Sequence, residues 1–202
     1  MRKIFFAILL FVAALVILPQ KGAAQFRVKG GIYVPQFSKL KDYRDFKVKQ
    51  NIGYQAGVAY QINILPVFTI QPELLFIQRD VEVSDRSGVE DTQKYQQKLI
   101  QVPVSIQYSI NLLMARPYIQ AVPYVNYLFD GKLTGGHNWK DSNKLTYGIG
   151  LGAGIDVWHL QLNIRYNLDI SKVGGKQSND PIYERYRVSK GKAYEVSLAY
   201  YF

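Results

Sequence analysis

Few residues of this 202-residue chain have types and spacings suited to catalysis. His137 and Ser142 share one segment, with Asp141 beside Ser142. A serine and a histidine so placed could be the nucleophile and base of a lipid hydrolase. Their neighbours, Gly135-Gly136-His137-Asn138-Trp139, are turn formers, and the segment reads as a solvated loop. His159 follows Trp158 in a tight turn and reads as a headgroup-level residue. Cysteine is absent, which excludes a thiol nucleophile, a disulfide framework and a Cys-ligated metal. Two histidines offer no metal-ligand spacing. Gly30-Gly31 and the run Gly148, Gly150, Gly152, Gly154 precede no helix, so neither cradles a phosphate. The expectation is a non-enzymatic protein with no catalytic residue, metal or cofactor.

The remaining chemistry is a set of charges that share one face of alternating segments. From Leu160 to Ile170 every even position is apolar and every odd position polar. The same alternation recurs through Ile100–Ile110, Tyr194–Phe202, Tyr147–Ile155 and Tyr54–Ile62. That is the period of a strand with two unlike faces. Eight strands are read, at 26–34, 53–64, 68–79, 98–110, 116–129, 145–157, 160–170 and 192–202. Pro117 and Pro123 make the fifth the least regular. The segments between strands hold 18, 3, 18, 5, 15, 2 and 21 residues, so long and short alternate throughout. Long loops on one side and tight turns on the other are the rhythm of an up-and-down outer-membrane barrel. A Greek-key sandwich has no reason for it.

A soluble eight-stranded barrel would share this pattern, so the decision rests on which face points inward. Four alternate glycines, Gly148 to Gly154, suit a crowded interior better than a solvent face. The polar face also balances four cations, Arg27, Lys29, Arg79 and Arg165, against Glu73, Asp156, Asp169 and Glu195. Charges enclosed in a narrow barrel must pair. An interior ion-pair network of Arg79, Arg165, Glu73, Asp156, Asp169 and Glu195 is therefore expected. Aromatics such as Phe26, Phe68, Tyr108, Trp158 and Tyr200 end the apolar runs, as membrane-interface girdles do. Phe202 closes an aromatic strand that looks like a membrane-assembly signal read by the barrel-assembly machinery.

At the start of the chain Arg2 and Lys3 precede an apolar run from Ile4 to Leu18, then Pro19 and the small residues Gly22-Ala23-Ala24. This reads as a signal peptide over 1–24 with cleavage after Ala24, leaving a barrel domain over 25–202. The fold class is all-β: an eight-stranded antiparallel up-and-down transmembrane β-barrel, exported by a cleaved signal peptide. The formal net charge of +10 would suit nucleic acid, but an exported chain has no access to it. The first loop, 35–52, and the fourth, 171–191, are basic, whereas the second, 80–97, is acidic. Barrel closure is expected to gather the basic loops on one side of the rim, with the acidic loop set apart. Lys47, Lys49, Arg185 and Arg187 there are candidates to bind lipopolysaccharide phosphates or an acidic partner.

Several segments resemble a known family. Gln71-Pro72-Glu73-Leu74-Leu75-Phe76 is similar to the Pro-Glu-Leu strand of the PorT-like small outer-membrane barrels. Ile100-Gln101-Val102-Pro103-Val104 is similar to their Ile-Pro strand, and Arg116-Pro117-Tyr118-Ile119-Gln120-Ala121 to their Pro-Tyr segment. Val122-Pro123 stands where Gly-Pro is more usual, and Gln101 replaces a common acidic residue. The resemblance implies an outer-membrane location and, for some members, support of protein secretion at the cell surface. The function expected is a closed structural or interaction barrel working through its loops, in contact with outer-membrane lipid, lipopolysaccharide and a protein partner. A small porin-like channel and a soluble secreted binder are the alternatives.

Overall fold

A computed structural model describes residues 24–36, 46–50, 52–85, 93–133, 145–171 and 191–202, with side chains left aside at the far ends of the longer strands. The expected signal peptide, apart from its last residue Ala24, and most of the third and fourth loops lie outside the described residues. The strands are β1 (Ala24–Gln36), β2 (Phe46–Gln50), β3 (Gly53–Asn63), β4 (Phe68–Asp85), β5 (Gln93–Ser109), β6 (Ala115–Leu133), β7 (Leu145–Val157), β8 (Leu160–Asp169) and β9 (Lys192–Tyr201). No helix among the described residues is long and apolar enough to cross a membrane.

All pairings are antiparallel, and sequential neighbours pair from β3 to β9. β1 pairs with β3 on one edge and β9 on the other, which closes the ring at eight strands. The short β2 adds no ninth stave. It pairs with the far end of β4, Phe46 opposite Asp85 and Gln50 opposite Val81, on the edge that β3 uses lower down. Closure pairs both edges of each of the eight ring strands, as a wall facing hydrocarbon requires.

The side chains fall as two concentric sets. Phe26, Leu74, Phe76, Ile106, Leu151, Ile164 and Leu198 are exposed on the outer surface, while Arg27, Lys29, Gln71, Glu73, Arg165 and Glu195 are buried inside. Apolar out and polar in inverts a soluble protein and marks a barrel bathed in lipid.

Two expectations need correction. The strands at the long-loop end are longer than apolar periodicity indicated: β4 runs to Asp85, β5 starts at Gln93 and β6 runs to Leu133. The even positions of β4 that are apolar through Phe76 become Gln78, Asp80, Glu82 and Ser84 here, so pairing continues without the apolar face that marks the strand lower down. The acidic loop is also not set apart from the basic one. Lys49 in β2 stands opposite Glu82 in β4, and Glu82 stands opposite Lys94 in β5. The hairpin that carries the acidic residues is itself the edge on which the first loop's basic segment pairs.

Prolines thin the ladder at one place. The β4–β5 pairing skips from Pro72–Val104 to Leu75–Gln101, and β5–β6 skips from Pro103–Tyr124 to Ile106–Ala121. Proline has no N–H to give to a neighbour, and Pro72, Pro103 and Pro123 fall on three consecutive strands.

Candidate functional site

Charged side chains converge in the lumen, which is layered along the barrel axis. At the tight-turn end Arg116, the second residue of β6, donates from Nε to Ser109 Oγ at 2.8 Å. Its terminal nitrogens donate to Asn63 Oδ1, at 3.2 Å, and to the Thr69 hydroxyl. One guanidinium thus ties together the ends of β3, β4, β5 and β6.

The next layer is an ion pair between β1 and β7. Arg27 donates from both terminal nitrogens to Asp156 at 3.2 and 3.3 Å, a bidentate pairing that fixes geometry as well as charge. The Arg27 guanidinium also lies 4.8 Å from the centre of the Tyr201 ring. Gln161 Nε2 donates to Asp156 at 2.9 Å, and Gln71 Nε2 donates across the lumen to Gln161 Oε1 at 3.2 Å.

The centre of the lumen holds a closed cycle of four charges from β1, β4, β8 and β9. Lys29 Nζ is 2.9 Å from Glu73 and 3.0 Å from Glu195. Arg165 reaches the same two carboxylates, at 3.0 Å to Glu73 and 3.5 Å to Glu195. All four side chains are essentially removed from solvent, at 1% relative exposure or less. Hydroxyl and amide donors fill the remaining lone pairs: Ser105 Oγ gives to Glu73 at 2.9 Å, Gln71 Nε2 at 3.1 Å, and Asn167 Nδ2 gives to Glu195 at 3.3 Å. Two cations against two carboxylates leave the cluster neutral, which buried charge requires.

Beyond the cycle, toward the long loops, Tyr33, Leu75, Ile77, Leu99 and Ala193 meet inside the barrel as an apolar layer, with Leu128 against it. Leu75 and Ile77 occupy inward positions of β4, two and four residues past Glu73, where the other inward residues are polar. The alternation of β4 fails there because these inward side chains pack against other apolar side chains in this part of the lumen.

Of the residues singled out from sequence, Arg165, Glu73 and Glu195 meet in the central cycle. Asp156 stands apart from it and pairs with Arg27. Asp169 belongs to neither group: the Tyr124 hydroxyl donates to it at 2.9 Å, and Asn126, at 3.5 Å, donates as well. Arg79 lies in β4, with its side chain outside the described residues. Lys47 and Lys49 are placed in β2 by backbone alone, and Arg185 and Arg187 lie outside the described residues. The N–H of Phe202 donates to the Phe26 carbonyl at 3.2 Å, and its side chain is exposed. Arg27 and Lys29 lie on the predicted polar face yet were not placed in the network, and Arg116 was missed altogether. Its signal was its parity with Tyr118 and Gln120, hidden by its position next to a turn.

Among the described residues no group of His, Asp and Glu is arranged to hold a metal. The charged groups contact one another directly across the lumen, so the arrangement crosslinks the wall.

A family model described as "Outer membrane protein beta-barrel domain" matches residues 19–173. Among solved structures, the outer membrane protein OprG from Pseudomonas aeruginosa aligns with a TM-score of 0.51 at 14% identity, over 89% of this chain and 96% of that one. Neisserial surface protein A aligns with a TM-score of 0.53 at 12% identity, over 89% and 97%. At such identities the likeness is one of fold. No curated protein sequence matches the chain.

Proposed function

The chain belongs to the outer membrane protein β-barrel domain family, and on that premise we propose that it is a closed, non-enzymatic barrel that acts through the surface it displays. It resides in the outer membrane. The observation that carries the proposal is the filled lumen. Eight strands leave room for little more than side chains. Here Lys29, Glu73, Arg165 and Glu195 span that room, with the layer of Leu75, Ile77 and Leu99 beyond them. Strands that continue past the membrane on the long-loop side raise a platform of paired backbone from which loops can contact a partner. The resemblance to PorT-like barrels extends the proposal to an accessory role in protein secretion at the cell surface.

Purified protein in planar bilayers is expected to show no stable single-channel openings. Recurrent openings of fixed size would replace this reading with that of a small channel. Crosslinking in intact outer membranes, followed by purification of the barrel, is expected to recover a protein attached through the long-loop end.

A further inference from the structure

The tight turns of outer-membrane barrels lie on the periplasmic side, and turns in water favour Gly, Asn, Asp and Ser. The turns here have a different composition. β3 and β4 are joined by Ile64-Leu65-Pro66-Val67, β5 and β6 by Ile110-Asn111-Leu112-Leu113-Met114, and β7 and β8 by Trp158-His159. None carries Asp, Glu, Lys or Arg. Leu65, Leu112, Leu113, Met114 and Trp158 are exposed, and so is Phe202 beside the third turn.

Much of the backbone of the first two turns is paired locally. In the β3–β4 turn the N–H groups of Ile64, Leu65 and Phe68 donate within the turn, and Pro66 has none to give. The carbonyls there also have partners: Pro66 accepts from Asn111 Nδ2 at 2.9 Å and Val67 from the Ser109 N–H at 2.8 Å. In the β5–β6 turn Ile110 N–H donates to Pro117 and Leu112 N–H to Ala115. Such local pairing is compatible with a segment at hydrocarbon depth, which must satisfy its own polar groups.

The third turn adds an independent sign. Trp158 has a φ of 53°, the left-handed region that a bulky residue enters only at a cost. A glycine or asparagine would be at ease in this place. The indole nonetheless projects outward, with Phe202 stacked edge-on against Tyr200 nearby, ring centres 5.1 Å apart. Tryptophan at such a level is what a membrane interface selects.

We propose that these turns are sunk in the inner leaflet of the outer membrane, and that the occupant of the apolar ring they form is phospholipid at its glycerol and upper acyl level. A protein partner would need one patch on one side. The apolar turns instead recur around the circumference and lie next to the lipid-facing belt of Phe68, Tyr108 and Leu160, interrupted only by the uncharged Asn111 and by His159. The barrel is then set asymmetrically, flush with the membrane below and protruding above on the extended ends of β4, β5 and β6. This placement rests on outer-membrane residence alone and does not depend on whether the barrel conducts.

The test uses the two tryptophans, Trp139 and Trp158. Trp139→Phe leaves Trp158 as the only reporter, and Trp139→Phe with Trp158→Phe and Leu113→Trp places the reporter in the β5–β6 turn. Each protein is folded into vesicles of phosphatidylethanolamine and phosphatidylglycerol, with folding checked by the heat-dependent gel shift. Both reporters should emit at blue-shifted wavelength. They should lose most of their intensity to lipids brominated near the top of the acyl chain and little to acrylamide. Water-like emission, quenched by acrylamide and not by bromolipid, would overturn the proposal. Water-like emission in vesicles with protection in isolated outer membranes would also overturn it, in favour of a protein occupant. If the Leu113→Trp protein does not fold, the Trp158 reporter still decides, since its turn is native.

Discussion

Lys29 and Arg165 each touch both Glu73 and Glu195, so every member of the central cycle has two partners of opposite sign. Removing one member leaves a net charge in a place with almost no water. Arg165→Met leaves two carboxylates with Lys29 alone. Breaking a buried pair in this way costs about 3–5 kcal/mol, expected here as a lower urea midpoint and a lower temperature for loss of the folded gel band. Arg165→Met with Glu195→Gln restores neutrality around Lys29 and Glu73 and should recover part of the loss. Unchanged heat resistance in the single variant would remove the cycle from the account of stability. Asp156 keeps slight access to solvent at 10% side-chain exposure. Asp156→Asn should therefore be milder than Glu73→Gln in the same assay.

The pairing of β6 with β7 shows how an element makes room for the lumen's contents. Tyr118, Gln120 and Tyr124 on β6 stand opposite Gly154, Gly152 and Gly148 on β7. A β-carbon at Gly148 would overlap the Tyr124 ring, and one at Gly154 would overlap the Tyr118 ring and crowd the Leu162 carbonyl. At Gly150 the nearest atoms are the side-chain amide oxygen of Asn167, at 2.5 Å, and the Arg165 methylenes, at 3.0 Å and beyond, which can shift. Overpacking of this kind costs about 1–3 kcal/mol. Gly148→Ala and Gly154→Ala should lower the folded fraction in vesicles more than Gly150→Ala does. Equal tolerance at all three positions would mean that the glycines serve something other than space. The alternation of glycine along β7 was visible in the sequence, but which large side chains use the space follows from the β6–β7 register.

At the scale of the whole molecule the charged cycle and the apolar layer of Leu75, Ile77 and Leu99 lie one after the other along the lumen, and the proposed closed barrel has each of them act as a seal. The two closures are successive along the axis, so opening one leaves the other. Leu75→Ser with Ile77→Ser should leave planar bilayers silent, and so should Glu73→Ala with Arg165→Ala. All four substitutions together are expected to give openings, provided the gel shift shows a folded barrel. Openings in either double variant would mean that a single layer seals the molecule. Charge on the outer rim is arranged at this scale too. The pairing of β2 with β4 brings Lys49 opposite Glu82, so the basic and acidic segments meet in one ladder.

What the sequence determined by itself was the wall. A strand between lipid and a polar lumen must alternate, and that constraint is local, so it appears as period two in most segments and lapses where the lumen turns apolar at Leu75 and Ile77. Tight and long connections alternate for a similarly local reason. The tertiary structure alone decided the partners. Lys29 bridges Glu73 and Glu195, Asp156 takes Arg27, and Asp169 is held by Tyr124 and Asn126. Those pairings depend on how far each strand is staggered when the sheet closes, a property of the ring that no single strand encodes. The extended ends of β4, β5 and β6 and the short β2 were hidden for a different reason. In the β4 extension the positions that are apolar through Phe76 become Gln78, Asp80, Glu82 and Ser84, so backbone pairing continues where the apolar outer face has already stopped.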